Sequence, residues 1–457
     1  MLDGPLPVDF DALRAREFAR LDARGMAYLD FAASALYGAS QVTDYAQRLN
    51  DGLYGNPHSE HAPSQASARD MDAARRLTLA FFGADPDAYE VIFTANTSAA
   101  IKLVAESYAF GPERGLVLSA DNHNSVNGMR EYARRAPAPV HILPLGDDLR
   151  LDAPAERLAI SARRMGAGLL AFPVQSNFSG VRHDLHLAGA AQNLGFDVLL
   201  DAAGCGAAGG VSLAEYPADF LVFSFYKLFG LPTGLGALIV RRDALARLRR
   251  PWFAGGTVDF VSVEHDRHQL SAGAHGFEDG TPNFLNMAAV ESGFTFLAQV
   301  DRLSLAARMR FLTGYFLERA AALRHRDGTP LVRLYGPKDL DRRGGTVALN
   351  LIGHDGQPIA YAEVEKRAFA QKVAVRGGCF CNPGAAEAAF GFSQLDIPGC
   401  LKALRGRFSV PALQACVGAG HAVGAIRMSV GLPSTTNDLD RLLELLAAFA
   451  DEQGPMP

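Results

Sequence analysis

Lys227 stands directly after a strongly apolar run of the chain, in residues 224–227 (SFYK). Burying an ammonium group is costly unless its charge is paired or neutralised. A desolvated lysine has a lowered pKa, which suits it to attack on a carbonyl group and to Schiff-base formation. The alternative is a strand-end lysine whose side chain simply reaches solvent, and residue type alone favours it.

Asp201 ends another apolar run, residues 198–201 (VLLD), 26 positions before Lys227. The carboxyl ends of parallel strands are the places where α/β sheets bind their ligands. An aspartate at such a position either contributes to a ligand site or caps the next helix.

Residues 93–100 (FTANTSAA) predict a strand, a turn of small residues and the start of a helix. Free N–H groups and the helix dipole at such a start can hold a phosphate. Serine and threonine caps are common, so this loop alone is a weak signal. Together with a strand-end acid and a strand-end lysine it is typical of pyridoxal phosphate enzymes, in which the acid keeps the pyridine nitrogen protonated.

Residues 376–384 (RGGCFCNPG) form a glycine-rich stretch that carries two cysteines. A reactive thiolate must be exposed and mobile, and such a loop suits that need. The alternatives are two ordinary buried cysteines or a zinc site. Structural zinc usually uses paired C-x₂₋₄-C knuckles, and no second knuckle accompanies the four thiols that could combine: Cys379, Cys381, Cys400 and Cys416. We therefore expect no metal site.

Arg376 and Arg427 each interrupt an apolar, strand-like run. A guanidinium in such a run either pairs with a structural acid or binds a substrate carboxylate through two hydrogen bonds. The residues alone leave both interpretations open for both arginines.

The elements that must position these groups alternate between apolar strands and helices from about residue 66 to residue 300. Strands that are apolar on both faces predict a buried parallel sheet, and the clearest are residues 91–94, 116–119, 169–174, 198–201 and 220–225. Helices are predicted between them, for example at 98–107 and 187–194. After a long helix at 303–323, strand signals at 346–351, 373–376 and 425–430 and a last helix at 437–450 predict a second, smaller α+β domain.

The chain has 457 residues, of which 49% are hydrophobic and 20% charged, and its net charge is −5. This composition excludes disorder and collagen-like repeats. Mild acidity and the lack of a Lys/Arg-rich run argue against nucleic acid and anionic membranes as partners. No run reaches the roughly 18 apolar residues of a membrane helix, the N-terminus does not resemble a signal peptide, and five cysteines do not predict a disulfide framework. We therefore expect a cytoplasmic protein.

The sequence resembles the class V aminotransferase family of pyridoxal phosphate enzymes, fold type I, in its cysteine desulfurase branch. Within that branch it is most similar to the N-terminal desulfurase domains of molybdenum cofactor sulfurases. Besides the phosphate loop, the motifs that carry the resemblance are residues 28–34 (YLDFAAS), 54–59 (YGNPHS), 122–126 (NHNSV), 176–180 (SNFSG), 201–203 (DAA), 224–227 (SFYK), 277–283 (FEDGTPN), 378–382 (GCFCN) and 427–429 (RMS).

This resemblance implies an α/β fold with a large domain, in which a mainly parallel seven-stranded sheet lies between helices, and a smaller α+β domain. The implied organisation is an N-terminal segment that joins the small domain (1–40), the large cofactor-binding domain (41–305) and the small C-terminal domain with the cysteine loop (306–457). In the family dimer a loop of the partner subunit completes the phosphate site, so a homodimer is also implied.

The resemblance also implies roles for single residues. Lys227 would hold the cofactor covalently and later carry the α-proton, and Cys381, five residues after Arg376, would be the nucleophile. His123, or its neighbour Asn122, would stack on the ring. Asp201 would pair with the ring nitrogen, and Asn177 would lie beside the ring's 3-oxygen. The hydroxyls of Thr97, Ser98 and Ser224 would hold the phosphate, and the loop with Gly256 and Thr257 would complete the phosphate site of a partner subunit. The implied substrate contacts are Arg427, Arg376, Ala33 and Asn56.

Three positions depart from the best-known desulfurases. Gly204 stands where they have Gln, Tyr226 where they have His, and Asn122 aligns with their stacking His; the Tyr is shared with the cofactor-sulfurase group. The activity implied is conversion of L-cysteine to L-alanine with a persulfide on Cys381, and the sulfur would pass to the molybdenum cofactor or to another acceptor, with Cys379 as a second thiol. The alternative is a C–S lyase, aminotransferase or epimerase on the same scaffold, which needs Lys227 but not Cys381.

Overall fold

The computed structural model of the protein describes residues 8–392, 395–404, 406–418 and 420–452. Residues 1–7 of the predicted N-terminal segment lie outside these ranges. So do residues 393–394, 405, 419 and 453–457 of the predicted C-terminal domain.

The helices of the described residues are α1 (Phe10–Glu17), α2 (Ala19–Ala23), α3 (Ala39–Asp51), α4 (Ala62–Phe81), α5 (Thr97–Ser107), α6 (Asn124–Asn127), α7 (Met129–Arg135), α8 (Pro154–Met165), α9 (His186–Asn193), α10 (Phe225–Phe229), α11 (Arg242–Arg247), α12 (Met287–Leu297), α13 (Arg302–Ala322), α14 (Tyr361–Ala370), α15 (Pro383–Phe390), α16 (Ile397–Ala403), α17 (Val410–Val417) and α18 (Thr436–Ala447). The strands are β1 (Ala27–Tyr28), β2 (Tyr89–Thr94), β3 (Leu116–Ser119), β4 (Val140–Leu143), β5 (Leu169–Pro173), β6 (Asp197–Asp201), β7 (Phe220–Ser224), β8 (Gly236–Arg241), β9 (Val258–Ser262), β10 (Arg267–Leu270), β11 (Val332–Tyr335), β12 (Thr346–Leu351), β13 (Val373–Ala374), β14 (Arg376–Gly378) and β15 (Ala425–Ser429).

A seven-stranded sheet with the order β2-β8-β7-β6-β5-β3-β4 forms the centre of the larger part. The strand β8 runs antiparallel to both of its neighbours, β2 and β7, and the other strand pairs of this sheet are parallel. Side chains of one strand alternate between two apolar clusters, so that Leu199 packs in one and Leu200 in the other. Burial on both faces is what the apolar strand sequences predicted, and the mainly parallel sheet between helices is confirmed.

A second sheet, β11-β12-β15-β14, is antiparallel and contains four strands. Its apolar face packs against α13, α14 and α18, and Ala27 and Leu29 of the N-terminal segment join the same cluster. The strand β1 pairs with β13, and Asp30 forms a bridge with Ser429 of β15. The smaller α+β unit is therefore present, while the domain limits at residues 40 and 305 stay a prediction.

Several predicted elements differ from those observed. The predicted strand 373–376 is divided into β13 and β14, because the first part pairs with β1 and the second with β15. The strand β8 was not predicted, since its sequence begins with glycine. A Cβ on Gly236 would lie 2.7 Å from the Cα of Asn96, so the close approach of this strand to the loop before α5 requires glycine.

Cys400 and Cys416 form a disulfide that links α16 to α17. This disulfide was not predicted, because the sequence does not indicate that two helices will bring these residues together. The bridge removes both thiols from the four-cysteine zinc alternative. Disulfides are typical of oxidising compartments, so the expected cytoplasmic location stays a prediction. No helix within the described ranges is long and apolar enough to span a membrane.

Candidate active site

A cavity of about 290 Å³ lies at the carboxyl ends of the central parallel strands. Its walls come from the start of α5, from the segment before α6, and from the residues that follow β5, β6 and β7. We call it the lysine cavity, and its lining is Ala95, Asn96, Thr97, Ser98, His123, Ser125, Pro173, Gln175, Asn177, Asp201, Ala203, Gly204, Ser224, Tyr226, Lys227 and Gly234. It brings together seven predicted site residues, namely Thr97, Ser98, His123, Asn177, Asp201, Ser224 and Lys227.

Lys227 and Asp201 both line the lysine cavity, Lys227 from just beyond the end of β7 and Asp201 from the end of the neighbouring strand β6. Asp201 is the last residue of β6, as predicted, whereas β7 ends at Ser224 and Lys227 lies in the following short helix α10. The prediction that Lys227 ends a strand is therefore wrong, because the chain turns into α10 before reaching it. Burial lowers the pKa of the Lys227 ammonium, and the Asp201 carboxylate offsets part of this effect.

The pKa of Asp201 is raised by burial, while the N–H of Ala203, at 2.9 Å from Oδ1, and the charge of Lys227 favour its ionised form. An acid and an amine with opposing shifts in one buried cavity are typical of a functional site. The lowered lysine pKa increases the fraction of neutral amine, which is the nucleophilic form.

Hydroxyl groups surround the N-terminus of α5. The Oγ of Ser224 accepts the N–H of Thr97 at 2.9 Å and lies 2.6 Å from Oγ1 of Thr97. The Oγ of Ser98 lies 2.6 Å from the Oγ of Ser125. Asn96 caps the helix by accepting the N–H of Ala99. Hydroxyls and a helix N-terminus facing one cavity suit an anion such as phosphate.

His123 lines the lysine cavity, and Asn122 does not. Asn122 is fully buried in the wall, where its Nδ2 donates to the carbonyl of Ala171 at 3.0 Å. The Nδ1 of His123 accepts the N–H of Ser125 at 3.1 Å, and burial lowers the imidazole pKa. Of the two residues that the sequence left open for ring stacking, the geometry favours His123.

Asn177 and Gln175, which follow β5, also line the lysine cavity. The Nδ2 of Asn177 donates to the carbonyl of Phe380 at 2.6 Å. Gln175 was missed by the sequence analysis, and its Nε2 donates to the carbonyl of Gly204 at 2.8 Å. A Cβ on Gly204 would lie 2.4 Å from the carbonyl oxygen of Gln175. The loop therefore accommodates glycine here and has no room for a larger residue without a shift.

Arg376 and Arg427 face each other on β14 and β15 and share one acid, Asp30. The NH2 of Arg376 donates to Asp30 at 2.8 Å, and the NH2 of Arg427 does so at 3.0 Å. The NH1 of Arg427 also donates to the carbonyl of Asn177 at 2.9 Å. Arg427 is buried and Arg376 is half exposed. Both arginines therefore pair with a structural acid, and Arg427 in addition touches the wall of the lysine cavity.

Cys381 is exposed on a short turn, residues 379–382, that we call the thiol loop. Phe380 and Cys381 both have φ of +56°, a conformation that L-residues rarely adopt. The carbonyl of Cys381 accepts the N–H of Asn124 at 2.7 Å, which fastens the loop beside His123. Cys379 is partly buried, and burial raises its pKa.

Cys381, Arg376 and Arg427 lie outside the lining of the lysine cavity, and so do four further predicted site residues of this chain. Gly256 and Thr257 lie in a loop before β9, where the Thr257 hydroxyl bonds to Ala254. Asn56 donates to Thr281 at 3.3 Å in an exposed segment. The last of the four, Ala33, belongs to the turn that follows Asp30.

The residues that connect the parts of the site were also not predicted from the sequence. Asp30 lies within the motif of residues 28–34, and its position between apolar residues could have marked it as a paired acid. Ser125 lies in a quoted motif as well. Asp121 and Asn382, which bond to each other at 2.6 Å, are 261 positions apart, and no local signal predicts their contact.

Comparisons with known proteins agree with this geometry. The family described as aminotransferase class-V matches residues 27–442. The molybdenum cofactor sulfurase of Solanum lycopersicum is 36% identical over 94% of this chain and 56% of its own length, and that of Arabidopsis thaliana is 34% identical over 97% and 58%. The chain thus spans a little over half the length of these curated relatives.

A solved structure with the same fold is the apo cysteine desulfurase from Thermococcus onnurineus NA1. It has a TM-score of 0.78 and 22% identity, and the match covers 98% of this chain and 99% of that one. The fold is that of the cysteine desulfurases, which is the predicted fold type I. Because the family match extends over most of the sequence, the chain belongs to the class V aminotransferase family.

Proposed function

We propose that this protein is a pyridoxal phosphate-dependent cysteine desulfurase that converts L-cysteine to L-alanine. The observation that carries the proposal is the contact between two parts of the site. Asn177, which lines the lysine cavity, donates directly to the carbonyl of Phe380, the residue before Cys381. The amine of Lys227 and the acid Asp201 therefore line the same cavity as Asn177, which bonds to the thiol loop.

The residues of the lysine cavity fit pyridoxal phosphate. Thr97, Ser98 and Ser224 surround the α5 N-terminus and would hold the phosphate. The buried Asp201 would pair with the pyridine nitrogen, and Asn177 would lie beside the ring's 3-oxygen. When bound, the cofactor withdraws electrons from the bonds of the substrate's α-carbon.

Two further residues of the lysine cavity would act on the cofactor and the substrate. His123 would stack on the ring, which its neutral imidazole favours. Lys227 would hold the cofactor covalently and carry the α-proton, because burial lowers its pKa and so increases the fraction of neutral amine.

Substrate binding is assigned to the two arginines. A guanidinium binds a carboxylate through two parallel hydrogen bonds. Arg427 lies beside Asn177 and would receive the substrate carboxylate in competition with Asp30. Arg376, at the rim, would assist, and Ala33 and Asn56 are proposed to complete the substrate site.

The thiol of Cys381 would take the sulfur. In the balanced step the C–S bond of cysteine breaks and an S–S bond forms on Cys381. The β-carbon is reduced and gains a proton, and the transferred sulfur is oxidised to the persulfide level. One cysteine and one thiol become one alanine and one persulfide, so no external oxidant is needed. An acceptor, such as the molybdenum cofactor or a separate protein, would then remove the sulfur.

A homodimer is part of the proposal. Gly256 and Thr257 do not reach the lysine cavity of their own chain, and they would serve the phosphate of a partner subunit. The adjoining hairpin β9–β10 exposes large apolar side chains among charged ones, with Phe260 61% and Val263 92% exposed. Exposed apolar patches of this kind mark contact surfaces.

The dimer can be tested by sedimentation of Phe260→Glu protein. We expect this variant to be monomeric and to lose cofactor. Phe369→Glu changes a residue that is 87% exposed on α14 and is the control, which should leave the assembly unchanged. A wild-type monomer with full cofactor occupancy would refute the dimer.

The desulfurase activity is tested by adding one equivalent of L-cysteine to the holoenzyme. Alanine, sulfide and the mass of each cysteine peptide are then measured with and without a reductant. We expect equimolar alanine and a persulfide on Cys381. Turnover that yields pyruvate or sulfide with no persulfide would instead favour the lyase alternative.

A further inference from the structure

Asp121 is a fully buried carboxylate that lies behind the lysine cavity and does not line it. It follows β3 and accepts three hydrogen bonds from three separate segments. Its Oδ1 accepts the Ser176 hydroxyl at 2.7 Å and the Asn382 amide at 2.6 Å, and its Oδ2 lies 2.8 Å from Nε2 of His183. Bonds to an ionised acceptor in a buried site are among the stronger ones in proteins.

Asn382 is the last residue of the thiol loop and uses both ends of its side chain. Its Nδ2 donates to Asp121 and, at 3.0 Å, to Oδ1 of Asn177. Its Oδ1 accepts the N–H of Ala385 at 3.2 Å and thereby caps α15. The amide nitrogen and the cap oxygen can therefore be changed separately by mutation.

The backbone carbonyls of Phe380 and Cys381 are both held by hydrogen bonds from other segments of the chain. The Phe380 carbonyl accepts from Nδ2 of Asn177, and the Cys381 carbonyl accepts the N–H of Asn124. Phe380 and Cys381 both have a φ of +56°, so these hydrogen bonds hold a backbone conformation that is intrinsically unfavourable. We call the hydrogen bond from Asn382 to Asp121 the anchor, and its loss would let this turn relax.

We infer that Asp121 is a positioning residue, which acts through Asn382 and Asn177 to hold the thiol loop in place for sulfur transfer. The inference rests on the proposed desulfurase function, because it concerns the approach of Cys381 to the substrate sulfur. Asp121 itself touches neither the cavity nor the thiol. Its effect is geometric, and a displacement of about 1 Å between reacting groups can cost about 100-fold in rate.

Two variants separate the anchor from the helix cap. Asn382→Asp keeps a cap oxygen for Ala385 but replaces the amide nitrogen with a second carboxylate oxygen facing Asp121. Asn382→Ser keeps a cap hydroxyl and is too short to reach Asp121. His183→Gln is the matched control, because it changes another partner of the same buried carboxylate and leaves the contact with the loop intact.

The experiment compares two rates in the holoenzyme after addition of L-cysteine. The first is the change in the visible spectrum of the cofactor, which does not need the thiol. The second is persulfide formation on Cys381, followed by quenched-flow mass spectrometry. For both Asn382 variants we expect persulfide formation to slow by about 10- to 100-fold while the spectral step changes less than about twofold. His183→Gln should keep the wild-type ratio of the two rates.

A second measurement does not depend on activity. Hydrogen exchange of the Asn124 and Asn382 amides reports on the bonds that they donate to the carbonyls of Cys381 and Cys379. We expect faster exchange at both amides in the Asn382 variants and unchanged exchange in His183→Gln.

The outcomes distinguish the inference from the function on which it rests. Wild-type protein that forms no persulfide refutes the desulfurase proposal, and the exchange measurement still decides whether the anchor holds the loop. The positioning role of Asp121 is overturned if the wild-type protein forms persulfide and both Asn382 variants match it in the rate of persulfide formation and in amide hydrogen exchange.

Discussion

The lysine cavity and the thiol loop are held in place by different means. Asp201 and Ser224 stand at the ends of strands that are buried on both faces, within the large sheet. The thiol loop follows the edge strand β14 of the small sheet, and side-chain and backbone hydrogen bonds attach it to the large one. The first arrangement depends on apolar packing and the second on a few polar contacts.

This difference matches what each region is proposed to do. A cofactor site needs fixed geometry, which close-packed strands provide. A sulfur carrier must approach the substrate and later reach an acceptor. Each hydrogen bond contributes a net free energy of only about 0.5–1.5 kcal/mol, so a loop held by a few of them can be released at moderate cost.

The largest effect on activity is expected in the lysine cavity. Lys227→Ala should lose covalent attachment of the cofactor and at least about 10³-fold in cysteine turnover, because no other group supplies the amine. Borohydride reduction followed by peptide mass spectrometry checks the attachment. Lys102→Ala is the control, since Lys102 is a surface residue paired with Glu106. Cofactor fixed on any lysine other than Lys227 would show that the site is misassigned.

The thiol loop should respond differently. Cys381→Ala should retain the cofactor and its visible spectrum, still bind cysteine, and form no persulfide. Cys379→Ala should leave the first turnover intact and slow only the release of sulfur to an acceptor, because Cys379 is partly buried whereas Cys381 is exposed. Mass spectrometry after one equivalent of cysteine separates the two. A persulfide on Cys379 of the Cys381→Ala protein would reverse these roles.

Arg427 lies beside the lysine cavity and Arg376 on the strand before the thiol loop, and their variants test which of them binds the substrate carboxylate. Arg427→Gln should raise the KM for cysteine by about 10- to 100-fold, since a hydrogen bond to a charged group is worth about 1.5–3 kcal/mol. Arg376→Gln should change KM by only a few-fold, because its side chain is 49% exposed and the pair with Asp30 is screened by solvent. Steady-state kinetics measures both. Equal effects would mean that the two arginines share the carboxylate.

The smallest effect concerns the pH dependence of the other thiols. Burial raises the pKa of Cys379, and it raises the pKa of Cys205 to about 12. Both thiols are therefore protonated at neutral pH, and only the thiolate reacts with iodoacetamide. Labelling of Cys379 should accelerate as the pH rises from about 7 to about 9, whereas native Cys205 should stay unlabelled. Mass spectrometry at each pH checks this, and rapid labelling of Cys205 at neutral pH would contradict the burial.

The local sequence was sufficient for much of the lysine cavity. The strand 116–119 and the strand 346–351 have the bounds that were predicted, and Asp201 ends its strand as expected. Both faces of the central strands are buried, so their apolar runs carry a strong signal. Because parallel strands place their carboxyl ends at one edge, a phosphate loop, an acid and a lysine that follow one another along the chain at or just after strand ends were enough to predict that these groups meet.

Only the tertiary structure decided how the rest of the site is joined. Asp30 lies between Arg376 and Arg427, and Asp121 bonds to Asn382, across separations of hundreds of residues. Such contacts depend on how two sheets pack against each other, and that packing leaves no period or spacing in the sequence. Residue types determined the chemistry that this protein can carry, and the packing of distant segments determined which acid faces which base.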